Sequence, residues 1–341
     1  MNQDKEKSSF LSIFQEIAKN QDFGDQNDYA FPSADEEETF FHEGVDFSLS
    51  DELDHEILMH RDAHFGGDFA TMIEYYEAEG IGAFGDIELD RIYELNALEQ
   101  ELGRNLAPLL LSGPEAEKVA KARRMYAQLK EIYEIKETSV IPRLIADLIL
   151  TEEREPVKET LAVIEKGKVI IPELLSLISN DDFYDPLFPG FGLAPSLAIY
   201  CLGEIGSTEA IPPIFEVLGH HPLFEEESIL TAFSTIGEPA KKFLLSRLKG
   251  RPLTMDNENA AFALSVFANN QEVAKACLNQ LFDPMVYSQP TLANYLLCNC
   301  VELSNEEDRV KLRQLAEDTT IPSGIRSEIH DLLNDWYTEI T

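Results

Sequence analysis

Two histidines one helical turn apart are the first residues in this chain whose spacing suggests chemistry. His60 and His64 stand at i and i+4 in DELDHEILMHRDAHF, so on a continuous helix both imidazoles share a face. Glu56 and Asp68 lie near enough to add oxygen ligands, and His55 is close in sequence. A metal that accepts imidazole and carboxylate would suit such a set. The segment is not the H-E-x-x-H of a zinc peptidase, because Arg61 follows the first histidine and no Glu lies between the pair. Packing residues on a helix give the same spacing, so the metal reading stands beside a packing one. Cys298 and Cys300 share a segment with no other ligand type nearby. With Cys201 and Cys277 they read as small buried apolar residues in a reducing compartment, and no cofactor is expected.

The elements that must position these residues are helices. Phe10, Ile13, Phe14 and Ile17 in SSFLSIFQEIAKN fall at helical spacing. Residues 21–48 then lose periodicity and become acidic, with aromatics scattered through them. Residues 1–48 are therefore expected to be an acidic, largely flexible extension with one short helix, or to dock on the chain's own helices. A helical region follows over 49–113. Ser50, Asp68 and Asp86 are its predicted N-caps, and Gly66-Gly67, Gly80 and Gly103 its predicted stops. Pro114 then opens a long helix.

Over residues 114–341 a two-helix hairpin recurs. Ile205, Ile236, Phe267 and Cys298 hold one place in four successive hairpins, 31 residues apart each time. The turn after them is Gly206, then Gly237, then degenerate. Ile141-Pro142, Ile171-Pro172 and Ile211-Pro212 open second helices, where a missing N–H costs nothing. A period near 30 with two helices per unit predicts a stacked α-solenoid, closed by a polar last helix carrying Trp336 and Tyr337.

The pattern in Ala198, Leu202, Gly203, Ile205, Gly206, Ala210, Ile211 and Pro212 resembles the HEAT-like repeats of the bilin-lyase type. Ala232, Ile236, Gly237 and Ala240 repeat it, and the resemblance covers about residues 119–320. It implies an all-α, HEAT-like solenoid of about six helical hairpins, with a concave face lined by second helices and a helical acidic N-terminal extension. Deoxyhypusine hydroxylases are similar in fold and bind iron through His-Glu pairs within the repeats. Here His42-Glu43 and His55-Glu56 lie outside the repeats, and Pro222 follows His220-His221, so that chemistry is not expected. The HEAT-like DNA glycosylases need a basic groove that this composition does not supply.

The charge is extreme: 63 acidic side chains against 27 Lys and Arg give a net −36. Affinity for nucleic acid or an anionic membrane rests on basic side chains, so neither is an expected partner. A protein with a basic surface is. No apolar run reaches the roughly 20 residues of a membrane span, and the expected location is cytoplasmic.

Two surfaces are candidates for partner binding. Between hairpins, Asp185-Pro186-Leu187-Phe188, His221-Pro222-Leu223-Phe224, Arg251-Pro252-Leu253-Thr254 and Asp283-Pro284-Met285-Val286 follow second helices, and equivalent loops of a solenoid line one edge. The first sits in an enlarged loop, Asn180 to Leu193, about ten residues longer than the period requires. It carries Phe183, Tyr184, Phe188 and Phe191, which either meet a partner or fold back over a helix pair. The second candidate is a basic patch, Lys241, Lys242 and Arg247 with Lys249 and Arg251, able to receive a partner or the chain's own acidic residues 35–38. The function expected is a non-enzymatic scaffold or adaptor. The alternative is a metal-dependent or lyase-type enzyme on a HEAT-like scaffold using His60 and His64.

Overall fold

Capping chemistry fixes where the helices begin and end. The computed structural model describes residue 10 and residues 52–78, 80, 87–135, 140–152, 155–219 and 226–338. Among these residues every regular element is helical and there is no strand, so the fold is all-α. The expected caps at Ser50 and Asp86, the short helix over 8–20 apart from Phe10, and the acidic residues 35–38 lie outside the described residues. The chain divides into two units, Met1–Ala198 and Ile199–Thr341.

In the first unit the helices are α1 (Glu52–His64), α2 (Phe69–Glu77), α3 (Leu89–Leu102), α4 (Ala107–Leu110), α5 (Gly113–Glu134), α6 (Val140–Leu150), α7 (Val157–Ile164) and α8 (Ile171–Ile178). Asp68 caps α2 as expected, its carboxylate accepting from the N–H of Ala70 and Thr71. Gly103 ends α3 at φ 61, a left-handed conformation that glycine adopts without steric cost. Ser112 and Glu115 close a capping box at the start of α5, which carries Pro114 in its first turn. The helices on either side of residue 113 belong to one packed body. α1 lies against α4 and α5, α5 against α6, and α6 against α7. Its core gathers Ile57, Leu58, Met72, Ile92, Val119, Leu129, Ile145 and Ile149, all fully buried.

Helix α9 (Ala194–Ile205) spans the division. The second unit continues through α10 (Ile211–Val217), α11 (Glu227–Ile236), α12 (Glu238–Leu248), α13 (Met255–Ala263), α14 (Gln271–Gln280), α15 (Pro290–Cys298), α16 (Glu306–Glu317) and α17 (Ser323–Thr338). Ile205, Ile236 and Cys298 are each the last residue of a first helix, and Phe267 ends the 3-10 turn that prolongs α13. Gly206 and Gly237 follow at φ 70 and φ 75. Where glycine is lost, Asn299 stays right-handed, and its amide donates to the carbonyls of Ala261 and Tyr295 at 2.8 Å each.

Packing in this unit is both sequential and alternating. α11 meets α12, α12 meets α13, α14 meets α15, and α16 meets α17. In addition α13, α15 and α17 pack in series, and α14 packs on α16. Gly203 on α9 permits a close approach: a Cβ there would sit 2.7 Å from the Ala232 Cα of α11.

Candidate functional site

The histidines and the enlarged loop, separated by more than a hundred residues, form one structure. His60 and His64 both lie on α1, their rings stacked with centroids 5.2 Å apart. His64 stacks in turn on Phe191 of the loop at 4.2 Å and meets Tyr126 of α5 edge-on. His64 Nε2 lies 3.1 Å from the Pro186 carbonyl and Nδ1 lies 2.7 Å from the Tyr126 hydroxyl. A carbonyl oxygen only accepts, so Nε2 carries the proton and Nδ1 accepts from Tyr126 O–H. The Gly190 backbone N–H donates to the same Tyr126 oxygen. Burial pushes the His60 imidazole down to about 4. Burial, with His60 beside it, pushes His64 down to about 3. Both are therefore neutral at pH 7.

This geometry bears on the metal reading. Both ring nitrogens of His64 are engaged within the fold, and no group of three or more potential ligands gathers among the described residues. Asp68, once a candidate oxygen ligand, caps α2 instead. His55 donates to Glu115 at 3.0 Å. The pair, as arranged, holds the loop in place.

The loop is packed into the first unit. Phe183, Tyr184, Phe188 and Phe191 are 1, 9, 3 and 6% exposed, so the structure turns all four rings inward. Burial of the apolar rings favours this arrangement, and a set of local bonds winds the loop tightly enough to allow it. Asn180 caps a 3-10 turn over Asp181–Tyr184, and Asp185 Oδ1 accepts from the Leu187 N–H. Tyr184 O–H donates to the Ile178 carbonyl at 2.8 Å. Gly190 at φ 81 lies so close to α6 that a Cβ would fall 1.9 Å from the Ile149 oxygen. Phe191 is left-handed at φ 53, a conformation uncommon outside glycine. Lys121 of α5 pairs with Asp182 and lies over the Phe188 ring.

Beside the pair runs a buried ion network. The Arg61 guanidinium is fully buried over the Phe69 ring. It donates to Asp62 Oδ1 at 2.7 Å, Glu99 Oε2 at 2.6 Å and Asn105 Oδ1 at 2.7 Å. Arg123 of α5 donates to the Asp62 carbonyl. Nothing in the sequence marked these partners, because Glu99 and Asn105 are distant and sit in ordinary polar positions.

In the second unit the expected basic patch is matched by acids. Lys241 is buried between Glu238 at 2.9 Å and Glu272 at 3.0 Å. Lys242 stays exposed near Glu238. Arg247 lies over Phe243 and Phe215 and reaches Asp256 and Glu216. The three bases are thus drawn into pairs across α10, α12, α13 and α14. Of the four cysteines, the thiols of Cys201, Cys277 and Cys300 are buried and that of Cys298 is exposed. Burial pushes the Cys201 and Cys277 thiols up to about 12, away from thiolate chemistry. Among the described residues no helix is long and apolar enough to cross a membrane.

Comparison of the chain with protein-family models, with curated proteins and with solved structures finds no match.

Proposed function

We propose that this chain is a non-enzymatic scaffold or adaptor, a stack of HEAT-like hairpins that binds a protein with a basic surface. One observation carries the reading: the C-terminal helices hold their cations in contacts within the fold and leave most of their acids in solvent. Arg309 donates to the Leu303 carbonyl and lies over Trp336, and Arg326 donates to the Ile321 carbonyl. Lys311 pairs with Asp308, and Arg313 with Glu306. Glu302, Glu307, Glu317, Asp318, Glu328 and Asp331 stand exposed around them. Such a surface attracts cations, and long-range attraction raises association rates more than it raises affinity.

Two further features support the stacked arrangement. Gln271 bridges to the backbone at Glu302 and Ser304, close to one 31-residue period away. The alternating packing of α13, α15 and α17 is what a two-layer stack requires. The buried thiols fit a reducing, cytoplasmic setting.

Affinity capture from the native cell, followed by titration of the recovered partner in rising salt, tests the reading. The association rate, and affinity with it, should fall above roughly 0.1 M salt, where charges more than about 10 Å apart are screened. It should also fall in the triple variant Glu307→Lys, Glu317→Lys, Glu328→Lys. Salt-independent binding that survives this variant would overturn the basic-partner reading.

A further inference from the structure

The His64 contacts lock one neutral tautomer across three elements, and this makes the aromatic loop sensitive to protons. Nδ1 accepts from Tyr126 on α5, Nε2–H donates to Pro186 in the loop, and the ring lies between His60 and Phe191. A proton on Nδ1 would set N–H against O–H and cost Tyr126 its acceptor. A proton on each ring would put two cations into a stack 5.2 Å apart inside the fold. We propose that His60 and His64 form an acid-released latch, whose protonation frees residues 180–193 from α1 and α5 and exposes the rings of Phe183, Phe188 and Phe191.

The loop meets α6 through backbone: Gly190 and Gly192 take positive φ, and Gly190 lies so close to α6 that a Cβ would fall 1.9 Å from the Ile149 oxygen. The other groups facing the latch do not oppose its protonation at close range. From α5 come Tyr126 and Arg123, the latter turned to the Asp62 carbonyl. Tyr75 of α2 lies 6.2 Å from Phe191, ring to ring. Glu152, after α6, acts on Tyr126. The loop adds Tyr184, Asp182, which pairs with Lys121, and Asp185, which caps Leu187. On α1 itself, Arg61 and Asp62 pair with each other, and Glu56 precedes His60 by one turn.

Both imidazoles are held below their ordinary value of 6.5 when the loop is closed. The open form therefore binds more protons, and opening becomes easier as pH falls below 6.5. Each histidine can shift the open-to-closed ratio by up to about tenfold per pH unit, and the pair by about a hundredfold.

Amide hydrogen exchange on the full chain from pH 7 to pH 4, corrected for intrinsic rates, reads this directly. Protection over 180–193 should fall progressively as pH drops from 6.5 to 4 while α13 to α17 stay protected. In His64→Gln a neutral amide can still donate to Pro186 and accept from Tyr126, so the pH slope should halve. In His60→Asn/His64→Gln it should vanish, leaving only the shallow contribution of carboxylates such as Asp182. Unchanged loop protection in the wild type down to pH 4, or an equally steep loss in the double variant, overturns the proposal. Should the double variant fail to fold by circular dichroism, Tyr126→Phe decides. It should raise loop opening at pH 7 by about fivefold, and equal protection there overturns the latch.

Discussion

Arg251 and Asp283 hold the same place in successive loops, each just before a proline, and the structure joins them. The Arg251 guanidinium donates to Asp283 Oδ2 at 2.8 Å and to Gln280 Oε1 at 2.7 Å. The spacing placed equivalent loops along one edge; the pair shows these two side by side.

The pair is open to water, with side chains 43 and 27% exposed, so its energetic weight is small. A double-mutant cycle with Arg251→Ala and Asp283→Ala should give a coupling of about 0.5–1 kcal/mol in urea unfolding. Raising salt to 1 M should erase most of it. A coupling of several kcal/mol would mean instead that this pair holds the unit together.

Three glycines should rank by what a methyl group would meet. At Gly190 a Cβ strikes the Ile149 carbonyl at 1.9 Å and φ is also positive, so Gly190→Ala should cost more than about 3 kcal/mol. At Gly203 the clash is with Ala232 at 2.7 Å and φ is ordinary, so about 1–3 kcal/mol is expected. Around Gly206 there is open space, and only its φ of 70 matters, for about 1 kcal/mol. Chemical denaturation of the three variants checks the order; a Gly206 variant weaker than the Gly190 variant would break it.

Arg61 is the cation on which Asp62, Glu99 and Asn105 converge. Arg61→Met keeps the length but removes the closest cation from buried Asp62, leaving Arg123 at 3.8 Å, and should cost about 3–5 kcal/mol. A loss below 1 kcal/mol in guanidinium unfolding would show that the network relaxes freely.

Glu173 is buried on α8, and burial holds its carboxyl above the ordinary value of 4.5. Its Oε2 accepts from the Phe10 backbone N–H at 3.0 Å. A raised carboxyl favours the folded state at low pH, and that advantage is lost as pH rises through the shifted value. Glu173→Gln should therefore stabilise the protein at pH 7 and have little effect at pH 4. Phe10→Ala, which empties a fully buried ring site, should destabilise by about 3 kcal/mol at either pH. Thermal unfolding of both variants at the two pH values separates the effects.

Much of the helical framework was legible because its determinants are local. Asp68, Gly103, Pro114, Gly206 and Gly237 act on backbone groups within a turn of themselves, so residue type alone located those helix ends. The 31-residue register of Ile205, Ile236, Phe267 and Cys298 was legible too, since a repeated packing environment leaves a repeated residue pattern. His60 and His64 were correctly placed on one helix face.

What they touch was decided elsewhere. Tyr126, Pro186 and Phe191 reach His64 only through the packing of α1, α5 and the loop, and sequence separation carries no record of that meeting. Tertiary structure likewise turned the four loop rings inward, because apolar rings gain more by burial against α5 and α6 than by facing water. It also paired Lys241 with acids from two helices. The sequence by itself determined helix, turn and net charge, which depend on neighbours along the chain. Which charges face solvent, and which histidine nitrogens are engaged, depends on neighbours in space, and only the fold supplies those.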